Sequence, residues 1–177
     1  MAMKIQGKLD IYLMKLISIE FSDRKDIVSG FLLDYSESWI LLRTNPADYI
    51  LDGYTIVKNK RINEVYQDEV EEFTEAVISL KDITPVYDKK IPLDNIQEIF
   101  RHLDSRYGMF AFTEKSKKAI YPGRLIAIND KNIRIEWIDT RAKWIGERKF
   151  KVDKIRTIEF DNDYLNSLKL ASEYYNQ

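Results

Sequence analysis

The 177-residue sequence has no cysteine and a single histidine, His102. Without cysteine there are no disulfide bonds, thiol nucleophiles or thiolate metal ligands, and one histidine is a poor basis for a zinc site. The sequence also lacks a Gly-x-Ser-x-Gly elbow and a glycine-rich phosphate loop, so two common catalytic motifs are missing. These absences predict a protein that is not an enzyme and has no cofactor, no metal and no small-molecule substrate.

Glycine and proline are scarce, at six and four residues, which excludes a collagen-like or low-complexity chain. No apolar run reaches the about 18 residues of a membrane span. Charged side chains such as Lys4, Lys8 and Asp10 interrupt the N-terminal segment. Hydrophobic residues make up 45% of the chain and charged residues 32%, with a formal net charge of -1. We therefore expect a folded cytoplasmic protein without a membrane partner.

The sequence does contain an internal repeat. Ile17–Ile62 aligns without a gap with Phe110–Ile155, at an offset of 93 residues. Eight of the 46 aligned pairs are identical, whereas chance would give about three. The identical pairs are Lys25/Lys118, Ile27/Ile120, Gly30/Gly123, Leu32/Leu125, Ile40/Ile133, Gly53/Gly146, Lys58/Lys151 and Ile62/Ile155. The repeat predicts two structurally related units.

Each copy shows the apolar alternation and turn residues of short β-strands. In the second copy the predicted strands are Met109–Phe112, Ile120–Ile128, Ile133–Ile138, Trp144–Lys151 and Ile155–Phe160, with a charged turn at Glu114–Lys118. Five short strands in roughly 50 residues are too few for a large sandwich. The pattern therefore predicts a small, strongly bent barrel in each copy that closes on itself and hides its edges.

Three helices accompany the predicted barrels, at Asp68–Leu80, Asp94–Leu103 and about Asp161–Tyr174. Asp94 is the predicted N-cap of the second helix. The first helix places four apolar side chains on one face, which predicts that this face is buried: Val70, Phe73, Val77 and Leu80. The fold class is thus mainly β with helices (α+β), with a first barrel and trailing helix at 1–80, a proline-containing linker at 81–93, and a second barrel with flanking helices at 94–177.

The run Gly123-Arg-Leu-Ile-Ala-Ile-Asn-Asp-Lys-Asn-Ile-Arg-Ile resembles the first motif of the Sm-like family of small SH3-like barrels. In that motif a glycine lets the second strand bend, and an Asp and an Asn follow in the next turn, here Asp130 and Asn132. The resemblance implies two tandem Sm-like barrels. In bacterial members a Lys-His pair near the last strand contacts RNA, and Lys151 matches the lysine. Val152 replaces the histidine, and the Arg-Gly or Lys-Gly pair of the second motif is absent.

Charge is spread unevenly, and the second copy is basic. Glu114–Arg156 has 13 Lys and Arg against 6 Asp and Glu. Within it, Trp137 and Trp144 flank a loop that carries Arg141 and Lys143. Aromatic side chains beside cations are typical of single-stranded nucleic-acid binding. In the alternative interpretation, both tryptophans close the hairpin core and the charges are solvated.

An acidic stretch balances the basic copy, since Glu64–Glu75 contains six acids and no base. Acids in the first turn of a helix interact favourably with the helix dipole, which explains most of them. Alternatively, the stretch pairs with the basic unit of the same chain or of a second copy.

The sequence therefore predicts a non-catalytic binding or assembly module, favouring protein interaction or scaffolding, with a protein partner or self-association. The alternative is RNA or single-stranded nucleic-acid binding through the basic second barrel. A net charge near zero favours the first function. The candidate nucleic-acid-binding residues are Trp137, Arg141, Lys143, Trp144, Lys151 and Asn132.

Overall fold

A computed structural model describes residues 6–87, 90–114 and 119–175. Most of the predicted charged turn at Glu114–Lys118 lies outside these residues. The chain divides into two compact units, Met1–Asp94 (unit 1) and Asn95–Gln177 (unit 2). The segment 81–93, predicted as a linker, belongs to unit 1 in this division.

Unit 1 contains five antiparallel strands in the order β5-β1-β2-β3-β4. Its elements are α1 (Gln6–Leu9), a 3-10 turn (Asp10–Tyr12), β1 (Leu16–Phe21), β2 (Arg24–Tyr35), β3 (Trp39–Thr44), β4 (Tyr54–Lys58), β5 (Ile62–Tyr66) and α2 (Glu69–Leu80). The buried core of the sheet contains Leu9, Ile17, Ile19, Phe21, Val28, Leu32, Ile40, Leu42 and Val57. Alternate residues of β1 thus point into this core, as the period of two in the sequence predicts.

Unit 2 repeats this arrangement, with the strand order β10-β6-β7-β8-β9. Its elements are α3 (Ile96–Tyr107), β6 (Phe110–Thr113), β7 (Ile120–Ile128), β8 (Asn132–Ile138), β9 (Trp144–Lys151), a 3-10 turn (Val152–Lys154), β10 (Thr157–Phe160) and α4 (Asp163–Tyr175). Strands β7 and β9 begin and end at the predicted residues. Helix α3 is capped by Asn95 rather than the predicted Asp94, because the Asn95 side chain accepts hydrogen bonds from the N–H groups of Gln97 and Glu98.

The prediction of two closed five-stranded barrels is wrong. Each unit instead forms an open set of five antiparallel strands. In each unit the fifth strand pairs with the first, β5 with β1 and β10 with β6. Within the described residues of a unit, the fourth strand does not pair with the fifth, so the set stays open. Closure depends on strand tilt and register, which strand number and length do not determine. The mainly β content with added helices is compatible with the predicted α+β class.

The 93-residue offset of the sequence repeat also relates the strand registers of the two units. Most paired positions in one unit have a counterpart in the other at this offset. Examples are Ile17/Gly30 with Phe110/Gly123, and Trp39/Lys58 with Asn132/Lys151. One ladder irregularity matches as well, since the register shifts between Leu32 and Asp34 in β2 and between Leu125 and Ala127 in β7. The two copies therefore share one pairing geometry.

In unit 2 the helices pack on opposite faces of β6. Phe100 of α3 contacts Phe110 and Phe112, with ring centroids 4.9 and 5.9 Å away. The intervening Ala111 belongs to a cluster on the other face with Leu165 of α4. Among the described residues, none of the helices combines the length and apolarity that crossing a membrane requires.

Candidate binding surfaces

The six residues predicted to contact nucleic acid do not meet at one site. Asn132 and Lys151 pair with each other at one end of the β8–β9 hairpin. Arg141 and Lys143 lie in the turn at its other end, beyond Ile138. Since β8 has 7 residues, the two ends are about 20 Å apart.

The two tryptophans lie on opposite faces of the sheet. Trp137 pairs with Gly146, whereas Trp144 pairs with Ile138, one residue further along β8, where the register shifts. The Arg148 guanidinium carbon lies 4.3 Å from the Trp137 ring centroid, and that of Arg124 lies 4.5 Å from the Trp144 ring centroid. Each indole thus already has an arginine over one ring face, and the two rings do not form a continuous stacking surface.

Asp139 holds the turn between β8 and β9. Its carboxylate accepts hydrogen bonds from the backbone N–H of Lys143 at 2.9 Å and of Arg141 at 2.8 Å. These hydrogen bonds, that of Lys143 foremost, lower the pKa of Asp139 below its ordinary value. The side chains of Arg141 and Lys143 are exposed. They are therefore solvated cations on a rigid turn.

Two arginines that the sequence does not single out, one on β7 and one on β8, form ion pairs on this surface. Arg124 forms an ion pair with Glu136 at 2.6 Å, and Arg134 forms one with Glu147 at 3.1 Å. The positions of Arg124 and Arg148 beside the tryptophans could be foreseen only from the strand register, which the sequence leaves open. The basic surface consequently contains fewer unpaired cations than its residue counts predict.

The residues that resemble the Sm-like motif have structural roles in the β7–β8 turn. Asp130 accepts a hydrogen bond from the Gln97 side chain of α3 at 2.6 Å. The Asn129 side chain accepts the backbone N–H groups of Lys131 and Asn132, each at 2.9 Å. Asn132 itself is half-buried. The asparagine that organises the turn is thus Asn129.

In unit 1, helix α2 buries a different face from the predicted one. Thr74 and Ile78 are buried, together with the carboxylate-bearing Glu71. The four apolar residues predicted to be buried form what we call the α2 stripe: Val70, Phe73, Val77 and Leu80. Val77 is half-buried, and the exposed fractions of the others are 72% for Val70, 61% for Phe73 and 84% for Leu80.

Hydrogen bonds to strand β1 explain why the polar face of α2 points inward. The Ser18 hydroxyl donates to the Glu71 carboxylate at 2.6 Å. The backbone N–H of Leu16 donates to Glu75 at 2.8 Å, and the Gln67 amide donates to the same oxygen at 2.7 Å. Glu71 also accepts the backbone N–H of the N-cap residue, Asp68, at 3.0 Å. Buried backbone and hydroxyl groups need partners, and these carboxylates supply them.

These contacts sort the acidic stretch into two groups. Glu71 accepts a hydrogen bond from the N-cap of α2, and Glu75 accepts one from β1. Asp68 is the N-cap, as the helix interpretation predicts. The pKa of Tyr66 is raised mainly by burial, and further by the nearby carboxylates of Glu71 and Glu20. Glu69 and Glu72, by contrast, are exposed and have no side-chain partner among residues 6–87. They remain free for interactions outside the unit.

A groove of about 740 Å³ lies between α2 and the loop that joins β3 to β4, and we call it the α2 groove. It is lined by Leu16, Ser29, Asn45, Asp48, Tyr49, Glu69, Val70, Glu71, Phe73 and Thr74. The rings of Tyr49 and Phe73 meet edge to face, with centroids 6.2 Å apart and an interplanar angle of 71°. The groove thus joins aromatic walls to an acidic rim.

The loop side of the α2 groove is held in place. The Asn45 side-chain amide donates to the carbonyl oxygens of Asp48 at 2.9 Å and Ile50 at 2.8 Å. The Lys81 ammonium donates to the carbonyl oxygen of Tyr49 at 2.9 Å, which ties the loop to the end of α2. Asp48 has a left-handed backbone, with φ of 45°, a conformation that the surrounding hydrogen bonds must maintain.

No protein family, curated protein or solved structure matches this chain. Among residues 6–87, 90–114 and 119–175 there is also no group of three or more side chains suited to holding a metal ion. The class of protein must therefore be inferred from the surfaces themselves.

Proposed function

We propose that the protein is a non-catalytic binding or assembly module that binds another protein through the α2 stripe. The observation that carries the proposal is the outward orientation of Val70, Phe73 and Leu80. A contiguous apolar surface on a folded protein marks an interaction site. The spacing of the stripe along α2 matches the pattern of helix faces that bind partner proteins.

The stripe cannot be buried by a simple rotation of α2. Such a rotation would break the hydrogen bonds of Glu71 to Ser18 and of Glu75 to Leu16. It would leave two carboxylates and a backbone N–H that need water or new hydrogen-bond partners, which costs several kcal/mol in total. Burying one large apolar side chain contributes about 1.5–3 kcal/mol. A partner that covers the stripe gains this energy without disturbing the polar face.

Phe73→Asp is expected to abolish partner binding while leaving unit 1 folded, because the side chain is exposed. The matched control is Ser79→Asp, which adds the same charge to α2 at an exposed position off the stripe. Affinity purification of the full chain from its native cells, followed by mass spectrometry, should identify a protein retained by the wild type and by Ser79→Asp. Its recovery should fall at least about tenfold with Phe73→Asp, and the purified protein should show the same difference. Equal recovery by all three proteins contradicts the proposal.

Nucleic-acid binding through unit 2 is the second candidate, supported by four exposed cations along the β8–β9 hairpin. They are Arg141, Lys143, Lys149 and Lys151. Such binding needs no sequence-specific recognition, because phosphate contacts alone provide non-specific affinity. The arginines over Trp137 and Trp144 reduce the area on which bases could stack, which places this candidate second.

If unit 2 binds RNA, the double variant Lys149→Glu/Lys151→Glu should bind a mixed RNA pool at least about tenfold more weakly than the wild type at low salt. The control Lys8→Glu/Lys25→Glu carries the same charge change in unit 1. Fluorescence anisotropy across a salt series should show the affinity falling steeply, with a logarithmic slope of about -0.7 per phosphate contacted. No detectable binding at roughly 50 mM salt eliminates this candidate.

A further inference from the structure

We infer that the α2 groove receives a lysine or arginine side chain of the bound partner, so that the partner segment is amphipathic and basic. The inference rests on the proposed function, because Val70 and Phe73 belong both to the α2 stripe and to the groove. A segment whose apolar side chains cover the stripe therefore brings its neighbouring side chains to the groove.

The charge of the groove selects a cation. None of its lining residues is basic, while Asp48, Glu69 and Glu71 are acidic. The carboxylates of Asp48 and Glu69 form no hydrogen bond or ion pair with any other residue in the part of the chain that the structure describes. A concave surface lined by charge of one sign attracts counter-charged groups and repels anionic ones.

The aromatic walls favour the same ligand. A lysine ammonium or arginine guanidinium is attracted to the face of a tyrosine or phenylalanine ring. The rings of Tyr49 and Phe73 are steeply inclined to each other, at 71°. A long cationic side chain can therefore lay its methylene groups along one ring while its charge reaches the rim carboxylates.

Glu71, at the floor of the α2 groove, does not compete with the rim for binding the cation. Glu71 is only 8% exposed, and its oxygens already accept the Ser18 hydroxyl and the Asp68 N–H. The cation is therefore bound by the two carboxylates at the rim, Asp48 on the loop and Glu69 on the helix. Glu69 lies in the first turn of α2, where the helix dipole offsets part of its charge. Asp48 is held by Asn45 outside any helix, so its carboxylate attracts the cation more strongly than that of Glu69.

The test begins with a random peptide library displayed on phage and selected against the full chain at low salt. We expect enriched peptides to combine apolar residues with at least one lysine or arginine. A fluorescent synthetic peptide of the consensus sequence is then titrated with the wild type and with variants. Phe73→Asp should weaken binding at least about tenfold and Asp48→Asn about fivefold, with a smaller effect of Glu69→Gln. Glu72→Gln, a control that removes an exposed acid outside the groove, should change affinity by less than about twofold.

The outcomes separate this inference from the proposed function. Peptides without basic residues that need Phe73 but not Asp48 overturn the inference and leave the proposed function intact. Failure to find any peptide whose binding needs Phe73 overturns both. Sedimentation of the wild type and Asp48→Asn tests whether a second copy of the chain occupies the α2 groove. Salt-sensitive self-association that is lost in Asp48→Asn would overturn the assignment to a different protein, because the basic hairpin of a second copy would then fill the groove.

Discussion

Replacing Ile78 by alanine is expected to lower the free energy of unfolding of unit 1 by about 2–5 kcal/mol. Leu80→Ala, two residues further along the same helix, should change it by less than about 0.5 kcal/mol. The reason is burial, since Ile78 is 0% exposed and Leu80 is 84% exposed. The substitutions remove similar side chains from the same helix, so their difference reports which face of α2 is buried.

Urea unfolding can be followed through the fluorescence of Trp39, which is buried in unit 1. For this purpose Trp137 and Trp144 are replaced by phenylalanine in every variant, so that the signal comes from unit 1 alone. A larger destabilisation by Leu80→Ala than by Ile78→Ala would support the face predicted from the sequence. It would also remove the basis of the proposed binding surface.

Gly123→Ala is expected to destabilise unit 2 by about 1–3 kcal/mol or more, because it places a methyl group where two strands approach closely. A Cβ atom at this position overlaps the backbone carbonyl oxygen of Glu136 on β8 and lies 3.1 Å from the Ile135 side chain. The overlapping atom belongs to the backbone, so relief requires the two strands to separate. Glycine is thus needed here for space between β7 and β8.

Gly30→Ala should cause a comparable loss in unit 1, because its Cβ atom would overlap the carbonyl oxygen of Arg43 in the same way. Gly7→Ala is the control, since nothing lies within 4 Å of the Cβ position there. Thermal unfolding followed by circular dichroism should show a lower midpoint for the first two variants, by about 2–4 °C per kcal/mol, and no decrease for the control. An unchanged midpoint for Gly123→Ala would contradict the close approach.

Local sequence pattern located the strands of this protein well. Alternating apolar residues and turn residues define Ile120–Ile128 and Trp144–Lys151 from a few neighbouring positions, and the structure has the same bounds. Such signals need no knowledge of distant contacts. They say nothing about whether the fourth and fifth strands of a unit meet, which is why barrel closure was predicted wrongly.

The register of β8 with β9 explains why the residues predicted to bind nucleic acid do not form one site. Trp137 and Trp144 are close in sequence, and both flank the loop with Arg141. The register shift between Trp137 and Ile138 places the two indoles on opposite faces, because a slip of one residue reverses the direction of a strand side chain. A bulge of this kind is set by the pairing of β8 with β9 and leaves only a weak signal in the glycine at position 146.

The sequence by itself determined the repeat, the positions of most strands and helices, and the lack of cysteine-based chemistry. Each of these depends on residue type or on neighbours in the chain. Tertiary structure decided which face of α2 is buried, because the partners of Glu71 and Glu75 are Ser18 and Leu16, more than 50 residues earlier. It also decided where the α2 groove lies, since Asp48 and Phe73 meet only when the β3–β4 loop folds against the helix. Hydrophobic periodicity identifies an apolar stripe, but only these distant hydrogen bonds turn the stripe outward.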